Sequence, residues 1–240
     1  MRRFIRGDGS ILWVEQSVGI LHDDRGAPQS FVSQIVDITD AKRSRDRLQH
    51  LATRDGLTEL LNRRELHQRI SDLADGEDLP RSQCAVLFID IDNFKNVNDE
   101  FGHAIGDGVI VAVAGRIRGS VRSGDIVGRA GGDEFVVVLT DVPEPDEAVC
   151  IAEKIRESPE DPVHIDGTLV PVTVSIGVAP LHQGDDPNAA LRHADQALYE
   201  AKRNGRNRVE TYNGDHSGDV QLNAAAGSDV ALTLPVTRRG

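Results

Sequence analysis

Aromatic residues make up only 4% of this 240-residue chain, which holds two cysteines, one methionine and one tryptophan. A core so poor in rings has to be aliphatic. Cys84 and Cys150 have neither CxxC nor Cys/His spacing, which argues for buried thiols in a reducing compartment rather than a disulfide or a zinc site. Positive charge is also scarce. The formal net charge of −12 lacks the basic footprint that a nucleic-acid duplex demands, so nucleic acid is excluded as a non-specific partner. A small anionic substrate remains compatible, because a metal and a few local Lys or Arg override the global charge. No apolar run approaches a membrane span and the first residues carry no signal-peptide segment, so a cytoplasmic location without membrane contact is expected.

What is present is ordinary in amount and unusual in placement. Hydrophobic residues at 39% and charged residues at 28% fit a globular chain. Two apolar runs, however, meet acid pairs at their tips. Ala85-Val86-Leu87-Phe88-Ile89 ends on Asp90-Ile91-Asp92, and Gly131-Gly132-Asp133-Glu134 leads into Phe135-Val136-Val137-Val138-Leu139. Carboxylates at the tip of a buried strand are costly unless something cationic meets them. Side by side in a sheet, two such tips make a site for hard divalent cations and phosphate.

Three regions separate by pattern. Residues 1–38 read as about three short strands with turns at Gly7-Asp8-Gly9 and around Gly26 and Pro28, too little to bury a core alone. Residues 39–52 read as a helix with Thr39 and Asp40 at its start. Its Ala41, Ser44, Leu48 and Leu51 fall at coiled-coil spacing, which favours a dimerising linker over a solvated connector. Residues 53–212 alternate helix patterns (62–74, 106–119, 145–157, 187–203) with strand patterns (84–91, 125–129, 134–140, 170–179, 207–212). That order, with 125–129 and 134–140 as a hairpin, predicts an α/β (α+β) ferredoxin-like palm with a mostly antiparallel sheet flanked by helices. Residues 213–240 lose periodicity and read as a disordered tail.

Along a strand, Asp90 and Asp92 share one face and Ile91 points away, leaving the Ile91 carbonyl as a metal ligand. Lys95 follows, positioned for phosphate oxygens. Asn98, His103 and Asp107 cluster just before and within a helix opened by Gly106. Asp and Asn also cap turns, which accounts for single members of this set but not for its density.

These residues resemble the GGDEF diguanylate cyclase family. The resemblance rests on five ordered blocks: Asp55-Gly56-Leu57-Thr58 with Asn62-Arg63-Arg64; Asp90 through Asp107; the 131–135 signature; Ser175 to Ala179; and Ala194-Asp195 through Gly205-Arg206-Asn207. It implies a palm that condenses two GTP into cyclic di-GMP and two pyrophosphates across a homodimer. Asp90, the Ile91 carbonyl and Asp133 are implied to hold Mg²⁺ or Mn²⁺, and Asp133 to act as base for the 3′-hydroxyl with Glu134 assisting. Lys95 is implied to stabilise phosphoryl charge, Lys202 and Arg206 to reach the terminal phosphates, and His103 to belong to the substrate site. Asn98 and Asp107 are implied to read the base. A carboxylate accepts from guanine N1–H and N2–H, where adenine offers nothing equivalent.

Arg122-Ser123-Gly124-Asp125 matches the family's RxxD inhibitory site in type and distance from Gly131, and implies product inhibition by cyclic di-GMP. Residues 1–38 resemble the C-terminal part of a PAS sensor domain through Asp8-Gly9-Ser10, Trp13-Val14 and Asp37-Ile38-Thr39. The chain departs from the family pattern at Glu59, where glycine is usual, and at Leu61, where proline is usual. Both departures bear on the loop there rather than on the metal ligands. The rival reading is a non-catalytic module that binds cyclic di-GMP through Arg122 and Asp125. An intact signature with Lys95, Asn98 and Asp107 argues against it.

Overall fold

The apolar runs of the sequence become the strands of one sheet, seen in a computed structural model that describes residues 1–75, 83–142, 144–158, 162–182 and 185–214. In chain order the elements are β1 (Arg2–Ile5), β2 (Ile11–His22), β3 (Pro28–Asp37), α1 (Thr39–Thr53), α2 (Arg63–Asp75) and β4 (Gln83–Ile91). There follow α3 (Phe94–Phe101), α4 (His103–Ser120), β5 (Ile126–Gly131), β6 (Glu134–Val142) and α5 (Pro145–Glu157). The last are β7 (Val163–Ile165), β8 (Thr168–Val170), β9 (Val174–Leu181), α6 (Pro187–Arg203) and β10 (Val209–Thr211).

The main sheet has the order β10-β9-β4-β6-β5, antiparallel throughout except for the β10/β9 pair. This is the mixed α+β sheet flanked by helices that the sequence predicts. β4 is its middle strand and is covered on both faces, which is why its sequence does not alternate. Ala85, Leu87, Ile89 and Ile91 face a core shared with Val109, Val113 and Ile117 of α4 and with Ala152 and Ile155 of α5. Cys84 and Val86 face the other core, with Leu66 and Ile70 of α2 and Ala190 and Ala194 of α6.

Two glycines set how closely helices approach. A β-carbon on Gly177 of β9 would collide with the backbone at Ala194 and Leu198, so α6 lies directly on the sheet there. A β-carbon on Gly128 of β5 would stand 3.1 Å from the Leu61 carbonyl and 3.0 Å from Leu66, which holds α2 and the preceding turn against the edge strand.

Several expectations are corrected. α4 begins at His103 rather than Gly106, and a separate helix, α3, precedes it. The predicted strand 170–179 is broken at 171–173 between β8 and β9. Thr39 lies inside α1: its hydroxyl accepts from Trp13 N (2.9 Å), and its own N–H is taken by Asp37 Oδ1 (2.9 Å). Only Cys84 is buried; Cys150 is exposed on α5. Most of the predicted tail, residues 215–240, lies outside the described residues.

The N-terminal strands form a separate three-stranded meander. Val14 is buried there, yet Ile5, Val18, Phe31 and Ile35 are exposed, consistent with too little chain to make a core. Leu48 and Leu51 of α1 are exposed as well, at 68% and 63%. Among the described residues no helix is long and apolar enough to cross a membrane.

Candidate active site

The tips of β4 and β6 lie side by side, with Asp90 directly opposite Glu134. Ile91 N–H donates to the Asp133 carbonyl (3.3 Å), which ties the glycine turn to the end of β4. Gly132 in that turn takes φ +49, a left-handed conformation that glycine adopts without steric cost. The sheet therefore brings Asp90, Asp133 and Glu134 together, as the sequence predicts.

Their electrostatics are those of a site short of positive charge. Asp90 is 6% exposed and, among the described residues, is met by one cation, Lys202 Nζ from the last turn of α6, at 2.8 Å. Burial pushes the Asp90 carboxyl up. Lys202 opposes the shift, the charges of Asp133 and Glu134 add to it, and the result is about 6. Glu134 is also raised, first by burial and then by Asp133 and Asp195, with Lys202 and Arg63 opposing. Asp195 lies on the same face of α6 two turns before Lys202; its carboxyl, open at the surface, is raised by partial desolvation, with Lys202 opposing.

Asp92 has a different fate, although it stands only two residues beyond Asp90, just past the end of β4. Its carboxylate accepts from Ser175 Oγ (2.6 Å), Thr173 Oγ1 (2.7 Å) and Asn207 N (3.0 Å). It is a structural clamp that fixes β9 and the segment after α6. That segment carries Arg206, exposed and held at φ +63. Lys202, expected at terminal phosphates, is instead engaged with Asp90, so it has to exchange partners to serve there.

The base-reading candidates gather at the α3–α4 junction. Asn98 of α3 lies so close to Gly106 of α4 that a β-carbon would overlap its Oδ1. Glycine at 106 is thus required for Asn98 to sit where it does. Asp107 is the next residue and exposed, as are His103 at the head of α4 and Lys95 in the first turn of α3. Asn93, at φ +55, turns the chain from β4 into α3 and so sets the direction of Lys95.

The Arg122–Asp125 turn departs from expectation in one respect. Asp125 is 4% exposed and both its oxygens are occupied, Oδ2 by Arg122 N (2.8 Å) and Oδ1 by Thr140 N (3.1 Å). It builds the turn. Arg122 is half exposed and reaches the Thr140 and Asp141 carbonyls (3.4 and 3.3 Å).

One functional contact escaped the sequence reading. Arg129 donates from Nε and Nη2 to the Gly132 carbonyl (2.9 and 2.7 Å) and from Nη1 to both oxygens of Asp55 (3.1 and 3.2 Å). It joins the signature turn to the turn that follows α1. Burial works to raise the Asp55 carboxyl, but hydrogen bonds from Thr58 and Arg129 hold it below the usual range. The signal was an arginine two residues before the glycine pair and an Asp-Gly-Leu-Thr block 74 residues upstream in contact with it; neither residue alone points to the other.

The model of the family described as "Diguanylate cyclase, GGDEF domain" matches residues 52–208. The chain belongs to the GGDEF diguanylate cyclase family. Its GGDEF domain is 45% identical over 162 residues to diguanylate cyclase TpbB of Pseudomonas aeruginosa, covering 66% of this chain and 37% of that protein. It is 43% identical over 175 residues to diguanylate cyclase DgcM of Escherichia coli, covering 72% and 42%. The chain therefore spans well under half the length of these curated relatives. Among solved structures, the isolated GGDEF domain of TpbB superposes with a TM-score of 0.64 at 42% identity, covering 67% of this chain and 94% of that one. The coiled coil and GGDEF domain of DgcB from Caulobacter crescentus, in complex with c-di-GMP, gives 0.62 at 31% identity, covering 72% and 93%.

The residues present fit a divalent cation bound together with a nucleotide. Among the described residues no three His, Cys, Asp or Glu side chains converge as a self-contained metal centre. Acid side chains gather there instead, Asp90 buried and Asp133 and Glu134 half-buried, with Lys202 in contact with Asp90. Mg²⁺ is commonly held in this way, by one or two carboxylates completed by substrate phosphates and water.

Proposed function

We propose that this chain is a diguanylate cyclase: two GTP are condensed to cyclic di-GMP with release of two pyrophosphates. The observation that carries the reading is the buried Asp90 beside the Asp133–Glu134 turn, an acid cluster in which Lys202 meets Asp90. Asp90, the Ile91 carbonyl and Asp133 would hold Mg²⁺ or Mn²⁺, which supplies charge neutralisation on the triphosphate and acidifies the 3′-hydroxyl. The chain's own residues do the rest. Asn98, fixed against Gly106, and Asp107 accept and donate at the guanine edge, with His103 beside them. Lys95, Arg206 and Lys202, once released from Asp90, bind phosphate oxygens and offset charge as the P–O bond to pyrophosphate breaks. Asp133 takes the proton from the 3′-hydroxyl, and Glu134, itself raised, receives or shares it.

Each palm holds one GTP, and each 3′-hydroxyl attacks the other GTP's α-phosphate. Catalysis then needs a homodimer, and the exposed Leu48 and Leu51 on α1 are the apolar stripe that would pair. Burying each would contribute about 1.5–3 kcal/mol. Residues 1–38 are read as the C-terminal part of a PAS-type sensor whose remainder would cover the exposed meander. Product inhibition is assigned to the 122–125 turn, with Arg122 gripping cyclic di-GMP and Asp125 holding the turn in shape.

Incubating the protein with GTP and Mg²⁺ should yield cyclic di-GMP by chromatography. No product at high protein concentration would sink the cyclase reading. In the same assay Arg122→Ala should raise the product concentration needed for half-inhibition by about tenfold, roughly the loss of one charge-assisted contact; an unchanged inhibition curve rejects the inhibitory role.

A further inference from the structure

Gly205, Arg206 and Asn207, between α6 and β10, take φ values of +114, +63 and +45 in succession. Left-handed backbone is costly for a residue with a side chain, so such a run persists only where its surroundings hold it. One support is local: Arg206 N–H donates to the Ala201 carbonyl of α6 (3.0 Å). A second comes from the sheet, where Ile176 N–H of β9 donates to the Arg208 carbonyl (2.9 Å). The third comes from Asp92, whose Oδ2 accepts the Asn207 N–H at 3.0 Å from 115 positions away.

Asp92 is itself immobilised. It is 6% exposed, and its own N–H donates to the Thr173 carbonyl (2.9 Å). Thr173 Oγ1 donates to Oδ2 (2.7 Å) and Ser175 Oγ to Oδ1 (2.6 Å). Both oxygens are thus engaged by protein donors, and one of those donors belongs to the left-handed turn.

What the turn presents is Arg206. It is exposed, and among the described residues its guanidinium has no hydrogen-bond or ion-pair partner. A short, stiff route therefore joins the two ends of the acid site. One residue, Ile91, separates Asp90 from Asp92, and one hydrogen bond joins Asp92 to the residue after Arg206. The carboxylate that meets a cation and the free arginine are held at a single spacing.

We propose that Asp92 is a positioning residue for the triphosphate: it locks the 205–207 turn so that Arg206 stands ready at the terminal phosphates. The inference rests on the reading of Arg206 as a phosphate contact. It requires an acceptor at position 92 rather than a charge. Asparagine can set its oxygen against Thr173 and Asn207 and turn its NH₂ to Ser175, whose hydroxyl accepts as well as donates. Alanine leaves the Asn207 N–H without this partner, and the strained turn relaxes.

Calorimetric titration with 3′-deoxy-GTP and 3′-deoxy-GMP in Mg²⁺ tests this without turnover. Both lack the attacking hydroxyl, and only the first carries terminal phosphates. Arg206→Ala should weaken triphosphate binding about tenfold, the scale of one charge-assisted contact, and leave the monophosphate unchanged. Asp92→Ala should do the same. The double variant should lose no more than about tenfold, because one contact is lost only once. Asp92→Asn should stay within about twofold of the unmodified protein, its acceptor being in place. If the alanine variant does not fold, Asp92→Ser replaces it, since its shorter side chain keeps a hydroxyl for the Thr173–Ser175 side.

A triphosphate loss seen with Arg206→Ala but not at position 92 would overturn the inference alone. So would losses that multiply to about a hundredfold in the double variant, or an equal loss of monophosphate. Asparagine failing as fully as alanine would give Asp92 a role through its charge instead. No loss with Arg206→Ala would remove the phosphate contact and the inference with it. Formation of cyclic di-GMP from GTP remains the separate test of the cyclase reading.

Discussion

Two turns meet at Arg129, and they treat charge and backbone strain in opposite ways. In the 55–61 turn the acid is saturated: Asp55 accepts from Thr58 N (2.9 Å), Thr58 Oγ1 (2.7 Å) and the Arg129 guanidinium, and its carboxyl is held low. At the 131–134 turn and the strand tip beside it the acids have far fewer partners, Lys202 against Asp90, and Asp90 and Glu134 are pushed up, first by burial. The strained backbone position is a glycine in the second turn (Gly132, φ +49) and a glutamate in the first (Glu59, φ +61). A carboxylate with every lone pair used holds structure. A carboxylate left wanting a cation is available for chemistry.

The comparison breaks most sharply if an acid of the second turn proves structural. Asp133→Ala should reduce cyclic di-GMP formation by at least ~100-fold, the scale of losing one organised electrostatic group, while the urea midpoint stays near wild type. Retained turnover, or a collapse in stability, would remove Asp133 from the catalytic role. The first turn should behave the other way. Arg129→Ala leaves Asp55 and the Gly132 carbonyl without their shared donor at a pair only 14% and 23% exposed. A loss of about 2–3 kcal/mol in urea unfolding is expected, with a fall in turnover as the signature turn loosens. Arg129→Lys should not restore either, because one ammonium cannot span both turns. Full rescue by lysine would show that charge alone matters.

How far the sequence disclosed this arrangement follows from which interactions are local. The strand runs ending in acids, the hairpin and the helices α5 and α6 are set by continuous hydrophobic pattern, and they stand where that pattern puts them. The sequence could not separate Asp90 from Asp92. Alternation puts both on one face, but only the fold supplies Thr173, Ser175 and Asn207 to one and Lys202 to the other. Asp125 is a similar case, since a buried turn-former and an exposed ligand look the same in an RxxD string. α3 was missed because it is only eight residues long and its apolar residues, Phe94, Val97 and Phe101, are only partly buried. The Arg129 link was missed because its partner is 74 positions away.

A weaker effect sharpens the charge side of the comparison. The Asp90 carboxyl, raised from 3.8 to about 6, binds its proton more tightly in the native state than in the unfolded chain. Its contribution to stability is therefore complete below about pH 4 and lost as pH rises through 6. A divalent cation competes with that proton, so Mg²⁺ should raise the thermal midpoint more at pH 7.5 than at pH 5. Asp90→Asn should abolish the difference. Equal shifts at the two pH values in the unmodified protein would mean that the metal does not report on Asp90.

The smallest effect concerns the backbone side. Leu61, where the family usually has proline, donates its N–H to the Val127 carbonyl (3.2 Å), a bond proline cannot make, and its own carbonyl accepts from Arg129 N (2.8 Å). This extra bridge to β5 secures the turn around Glu59 despite a left-handed conformation that costs a non-glycine residue about 1–2 kcal/mol. Glu59→Gly removes that strain but also frees the unfolded chain by about 0.5–1 kcal/mol and deletes the exposed contact with His50, worth at most ~0.5 kcal/mol. The strain relief is the larger quantity, so a net gain of about 0.5 kcal/mol in urea unfolding is expected. If the variant is instead less stable, the His50–Glu59 contact outweighs the strain. The first turn would then be stabilised chiefly through α1 rather than by its own hydrogen bonds to β5.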